Sequence, residues 1–243
     1  MPKESRTWDR AAYEVVENIV EVGVRVSYLQ LREKTQGYFD EDGKFAGGFL
    51  GSINRLSEEQ TIEPSLFANV VLNDYCGLEM SWLRLGGVTS TYKDGHSDGT
   101  FHLIGPTAVF WLRYPTEMTI RPRIGVGVAW LRTDFEEDPA WRMGLSRKNY
   151  EAWLAEGSPG MPYPNYGFVQ VIDTENVAGL ILQAGLDAEL RRQLFLEFDL
   201  RYVMAEVNGH YYMSQYGTVV DDRGITTFPM DALYVALGLR YDF

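Results

Sequence analysis

Along most of this chain every second residue is apolar. In the closing stretch, 231–243, Leu233, Val235, Leu237, Leu239, Tyr241 and Phe243 alternate with Ala232, Tyr234, Ala236, Gly238, Arg240 and Asp242. That is the period of a β-strand, whose successive side chains point to opposite faces. One face is apolar throughout, and the other mixes charge with Gly and Ala. The same period over 16–31 sets Val20, Val22, Val24, Val26 and Tyr28 against Glu21, Gly23, Arg25, Ser27 and Leu29.

Six further stretches repeat it. In 65–73 Ala68, Val70 and Leu72 share a side, and in 77–92 Leu78, Met80 and Trp82 oppose Glu79 and Ser81. There Arg84 breaks the apolar face, which predicts either a bulge or a rise above an apolar band. In 100–114 Ile104, Pro106, Ala108, Phe110, Leu112 and Tyr114 oppose Thr107, Trp111 and Arg113. In 118–133 Ile120, Pro122, Ile124, Val126, Val128 and Trp130 oppose Arg121, Arg123, Gly125, Gly127 and Ala129. In 177–190 Ala178, Leu180, Leu182, Ala184 and Leu186 oppose Gly179, Gln183, Gly185 and Asp187. In 194–207 Leu194, Leu196, Phe198, Leu200, Tyr202 and Met204 oppose Glu197, Asp199, Arg201 and Val203.

The connections alternate in length. Long ones fill 32–64, 135–174 and 208–227, a shorter one fills 93–99, and brief turns fall at 74–75, 115–117 and 191–192. Within 135–174 the composition of 139–156 predicts a helix carrying Trp141, Leu145, Tyr150, Trp153 and Leu154, stopped by Pro159, Pro162 and Pro164. Eight strands with long connections at one end and short ones at the other predict an all-β fold. It is an eight-stranded antiparallel up-and-down transmembrane β-barrel, one domain over 1–243, with long extracellular loops.

A soluble barrel would show the same alternation with its apolar face turned inward. The polar face favours lipid outside. It is rich in Gly23, Gly125, Gly127, Ala129, Gly179, Gly185, Ala236 and Gly238, which give room in a narrow lumen. It also carries Glu21, Arg25, Glu79, Arg113, Arg121, Arg123, Asp187, Glu197, Asp199, Arg201 and Arg240. An arginine facing lipid at the midplane would cost about 2–4 kcal/mol, whereas in a lumen it can meet a carboxylate. These charges are expected to pair, together with Asp242, into an ion network plugging the periplasmic half. Trp82, Trp130, Tyr202, Tyr241 and Phe243 then read as an aromatic girdle.

Composition adds exclusions. A formal net charge of -12 argues against nucleic acid as a partner. The mean hydropathy of -0.21, with no run of about 18 apolar residues, excludes a spanning helix but not spanning strands. The single cysteine, Cys76, allows no internal disulfide. The first ten residues, MPKESRTWDR, lack the apolar core of a secretory signal. The expectation is a mature bacterial outer-membrane chain whose signal has been replaced by an initiator Met.

Candidate catalytic and metal residues are sparse. His210 lies near Ser214 in sequence and His96-Ser97-Asp98 cluster, but neither set supplies a base oriented by a third group, so no enzyme is expected. Asp40-Glu41-Asp42-Gly43 lacks the spacing of a calcium loop, so neither metal nor cofactor is expected. His102 reads as a residue of the outer rim.

Several segments resemble the OmpW family of outer-membrane proteins: His102-Leu103 with Pro106-Thr107, Arg121-Pro122 followed by Ile124-Gly125-x-Gly127, Ala184-Gly185-Leu186-Asp187, and the ending Gly238 to Phe243. The stretch 135–174 is long for that family, and Asp242 precedes the terminal Phe. The resemblance implies a monomeric barrel among outer-membrane lipid and lipopolysaccharide, associated with passage of small hydrophobic molecules. A barrel presenting loops for adhesion or for a larger envelope complex is the alternative. An apolar solute above an ion plug has to leave sideways. The expected path runs past Phe45, Phe49, Trp141, Leu145 and Trp153 and out beside Pro106 and Pro122, whose missing N–H groups weaken the ladder unless they merely mark bulges.

Overall fold

In the computed structural model the two ends of the alternating pattern meet. The structure describes residues 20–32, 34–35, 38–39, 45–46, 55–58, 61–90, 97–114, 119–158, 160, 167–191 and 193–243. The strands in chain order begin with β1 (Val20–Leu31), the short β2 (Lys34–Thr35), β3 (Tyr38–Phe39), β4 (Phe45–Ala46) and β5 (Arg55–Glu58), then β6 (Thr61–Asn73). β7 (Cys76–Ser90), β8 (Ser97–Arg113) and β9 (Ile120–Glu137) follow, then helices α1 (Pro139–Arg142) and α2 (Arg147–Ala155). The chain closes with β10 (Phe168–Thr174), β11 (Val177–Arg191), β12 (Leu194–Met204), β13 (Glu206–Gln215), β14 (Thr218–Pro229) and β15 (Ala232–Asp242).

Eight of these form a closed antiparallel ring in the order β1, β6, β7, β8, β9, β11, β12, β15 and back to β1. Closure pairs Glu21 with Asp242 and Leu31 with Ala232. No described helix is long and apolar enough to cross a membrane; the strands do the crossing. The apolar face points outward, with Ile62 at 72% and Leu66 at 70% exposure, and an apolar wall on every side is tenable only in lipid. On β9 the outward apolar run extends from Ile120 to Trp130. That is roughly 33 Å along the strand, or about 25 Å across the membrane at the usual tilt, which matches the height of the apolar band.

Several local expectations change. Arg84 makes no bulge: the β7–β8 register runs unbroken from Cys76 past Arg84 to Thr89. Alternation continues there while the outward residue turns polar, because the barrel has risen above the apolar band. The stretch 208–227 is a hairpin, β13 with β14, which with β10 makes a three-stranded sheet beyond the membrane end. Its strands carry Asp173, Thr218, Asp222 and Thr227 on exposed positions, so they lack the clean apolar period of the barrel. The single expected helix is two. Asp138 caps α1 by accepting from the N–H groups of Ala140 and Trp141, and Ser146 caps α2 by accepting from Asn149. Gly144 stands between them at φ 64°, a left-handed conformation that ends α1.

Candidate functional site: a layered lumen and a window in its wall

The inward face divides into two layers. In the periplasmic half, Arg25, Arg113, Arg123, Arg201 and Arg240 are buried with Glu21, Glu79, Asp187, Glu197, Asp199 and Asp242. Arg25 is the hub, 2.8 Å from Asp199, 3.3 Å from Glu197 and in contact with Glu79. Arg123 reaches Glu197 at 2.6 Å, and Arg201 reaches Glu79 at 2.6 Å. Nearer the periplasm, Arg240 pairs with Asp187 at 2.8 Å and Glu21 at 3.2 Å, while Arg113 bridges the same two carboxylates at 3.3 Å each. Neutral groups fill in: Asn69 donates to Glu21 and Gln183 to Asp199, each at 2.8 Å. The glycines make this possible. Gly23 leaves the space occupied by the Phe67 ring, and the Arg25 guanidinium lies over that ring at 4.1 Å.

Glu79, Glu197 and Asp199 bring one oxygen each within 4.8 Å of one another, as a cation site would. Arg25 touches all three, so guanidinium charge already occupies that role. Arg121 stands apart from the network. At the barrel rim it pairs with Glu189 at 3.2 Å and is a third exposed, because it is the last inward position before the periplasmic turn.

Above the ions the lumen is apolar. Leu29, Leu31, Leu56, Leu83, Leu85, Phe101, Leu103, Leu131, Val203 and Ala232 are buried together, and the cluster continues through Phe135, Trp141, Ile172, Tyr211, Phe228 and Met230 into the outer sheet. The Phe101 ring lies 4.7 Å from both Phe135 and Phe228. Trp141 on α1 closes the top, 6.1 Å from Phe135 and 5.8 Å from Tyr211. Sequence reasoning missed this layer, although a signal was present. Where outward residues turn polar at Arg84, Arg132 and Asp134, the inward ones turn apolar at Leu83, Leu85, Leu131 and Phe135.

Where the two layers meet, the β-ladder of the wall lapses among the described residues, and we call this gap the window. β6 and β7 pair only up to Phe67 with Ser81, and β7 regains a partner at Gly87, opposite Glu58 of β5. Between them, Trp82 to Gly86 have no β-ladder partner on that side among the described residues, although β6 stays paired with β1 from Thr61 onward. Pro64 lies in this stretch and has no N–H to offer. The gap is lined by inward residues Ser27, Leu29, Glu63, Ser65 and Tyr234 and by outward residues Trp82 and Arg84. Residues of both faces line this one small cavity, which therefore lies within the wall between lumen and outer surface. Arg84, from outside, reaches Glu63 at 3.3 Å and spans it. Glu63 was missed in the sequence because the start of β6 is too polar to look like a strand, while Ser65 and Tyr234 stand on recognised strands with nothing to mark them as lining a gap.

The prolines expected to mark the exit behave differently. Pro122 keeps its ladder on both sides, aligned with Leu186 and with its carbonyl accepting from Tyr114 at 2.9 Å. At Pro106 the β8–β9 pairing lapses for Gly105 and Pro106 alone and resumes in the same register. There the Trp130 carbonyl approaches so closely that a Cβ on Gly105 would meet it at 1.8 Å, so only glycine fits. Of the other path residues, Trp141 and Leu145 are buried and Trp153 is half-buried on α2. Phe49 and the side chain of Phe45 lie outside the described residues, as do Asp40 to Gly43 and His96. His210 pairs with Asp222 at 2.9 Å. It stands four residues along one strand from Ser214, about 13 Å, too far for a nucleophile and its base. His102 lies on the outer wall, 3.4 Å from Glu136.

A closed ring of eight strands, apolar outside and ion-filled within, ringed by exposed Trp82, Trp130, Tyr241 and Phe243, defines an eight-stranded outer-membrane β-barrel. Its fold is similar to the outer membrane protein OprG from Pseudomonas aeruginosa, with a TM-score of 0.62 at 12% identity over 93% of this chain and 97% of that one. It is likewise similar to the outer membrane protein AlkL, at 0.55 and 12% over 96% and 94%. The E. coli outer membrane protein W aligns over 94% and 100%, at 16% identity and a TM-score of 0.46. No family model matches the chain, and no curated protein matches by sequence.

Proposed function

We propose that the barrel is a narrow conduit that admits small hydrophobic molecules from outside and releases them sideways into the membrane through the β6–β7 window. The observation that carries this is the position of the window at the floor of the apolar layer, directly above the ions. An apolar solute reaching that floor faces charged groups below, where desolvating the plug would cost several kcal/mol. The gap beside it sets Leu29, Trp82 and Tyr234 among Ser27, Glu63, Ser65 and the Arg84 that pairs with Glu63, so it offers a way out without crossing the ion plug. Trp141 is the residue that has to move for admission, since it covers the layer from above. On this reading the chain is a single monomeric barrel domain with no catalytic role, and the His210–Asp222 pair holds the outer hairpin together. The resemblance to OmpW-type barrels points the same way.

The test is a reversible clamp. In a Cys76→Ser background, Glu63→Cys and Arg84→Cys are joined by a short bis-methanethiosulfonate cross-linker, which releases sulfinate and leaves a reducible disulfide at each end, and uptake of a fluorescent aromatic probe into cells is followed. Uptake is expected to fall on cross-linking and return on reduction. Undiminished uptake through the clamped barrel removes the window. A fall seen instead when strands β8 and β9 are clamped beside Pro106 moves the exit there.

A further inference from the structure

Beside the window the outer wall changes from apolar to charged within one row of residues. Trp82 on β7 aligns with Pro106 on β8, and the register on either side sets Pro106 opposite Trp130 on β9. The row above aligns Arg84 with Ile104 and Ile104 with Arg132. All six side chains are exposed on the outer face. One row higher the surface becomes acidic, with Asp134 exposed opposite His102 and Glu136 held by His102 at 3.4 Å. The two arginines therefore make a cationic band one residue deep, between an aromatic row and an acidic one.

We propose that Arg84 and Arg132 form a binding site for a phosphorylated glycolipid of the outer leaflet, gripping its head-group phosphates while Trp82 and Trp130 lie against the junction of sugar and acyl chains. Height is the first argument. The apolar run of β9 ends at Trp130, about 25 Å above its start, so the arginine row lies at head-group depth. Spacing is the second. One strand, β8, separates the arginines, which sets their Cα atoms two inter-strand spacings, roughly 9–10 Å, apart, so the two forks converge on one head group across Ile104. Availability is the third. Among the described residues Arg132 has no ion pair, and Arg84 has one, with Glu63, in a pair 55% and 32% exposed. Such exposed pairs contribute about 0–1 kcal/mol, so a phosphate readily displaces the carboxylate. Charge is the fourth: on a chain of net charge -12, a polyanionic lipid finds little attraction elsewhere. The site rests on the outer wall alone and stands whether or not the window conducts.

The experiment uses the full chain in nanodiscs of zwitterionic lipid, titrated with bis-phosphorylated lipid A or with the same lipid enzymatically dephosphorylated. Lipid retained on the released barrel is read by native mass spectrometry. Wild type is expected to retain the phosphorylated form preferentially. Arg84→Gln with Arg132→Gln should weaken it about thirtyfold, from about 1 kcal/mol per surface arginine at tenfold per 1.4 kcal/mol. Arg32→Gln, an exposed arginine at the end of β1, should leave retention unchanged. Each variant is checked for folding by its gel shift before and after boiling. Equal retention of the dephosphorylated lipid, wild-type retention by the folded double variant, or an equal loss in Arg32→Gln would each overturn the site.

Discussion

The lower and upper lumen are equally buried and are held together by opposite means. Below, five guanidiniums and six carboxylates interlock across strands distant in sequence, and each group depends on several others. Above, leucines and aromatics fill the same cylinder with contacts that are individually weak and without fixed direction. An ion network fixes geometry and tolerates no loss of a member. An apolar layer tolerates rearrangement and can yield to an apolar guest. One barrel thereby joins a rigid floor to a deformable antechamber, and the window lies at the boundary between them.

Breaking the floor should have the largest effect. Arg25→Ala leaves Glu79, Glu197 and Asp199 facing one another with less compensation, and should cost about 3–5 kcal/mol, seen as a lower urea midpoint for loss of the folded gel band. Replacing one member of the upper layer should cost less and change function more. Leu103→Ala should destabilise by about 2–3 kcal/mol yet raise probe uptake, because the cavity loosens the apolar layer. If uptake drops with stability in both variants, the functional contrast between layers is wrong.

Smaller still is the boundary itself. Glu63→Gln removes the exposed pair with Arg84 and should change stability by less than about 1 kcal/mol, while uptake rises. In wild type, raising salt to about 1 M should mimic the variant, because exposed pairs are screened and buried ones are not. Salt-independent uptake by wild type would separate the ion pair from gating. The least effect belongs to the outer hairpin. The Asp222 carboxyl is held below its usual range by hydrogen bonds from His210 and the Gly224 N–H. A depressed carboxylate contributes stability that is present above its unfolded pKa, about 4, and is lost as pH falls through the lower folded value. Amide exchange in β13 and β14 should therefore quicken as pH falls below about 4 while the barrel strands stay protected, and Asp222→Asn should abolish that step.

Much of this was readable from the chain because a membrane imposes a two-residue rule. A residue facing lipid must be apolar and its neighbour faces the lumen, so Val20 to Val26 or Ile120 to Trp130 declare both strand and side. The inward charges were legible for the same reason, since Arg25, Arg123 and Arg240 have no tenable place on such an apolar face. Only the closed ring decided who meets whom. Arg25 with Asp199 joins residues 174 apart, through registers set by every strand between them. Above the band the rule lapses, because both faces are free to be polar or apolar, and there β13, β14 and the start of β6 escaped notice. The window is hidden most completely. The lapse of the ladder between Trp82–Gly86 and β6 among the described residues carries no mark in a linear pattern, because a gap in pairing is a relation between two strands.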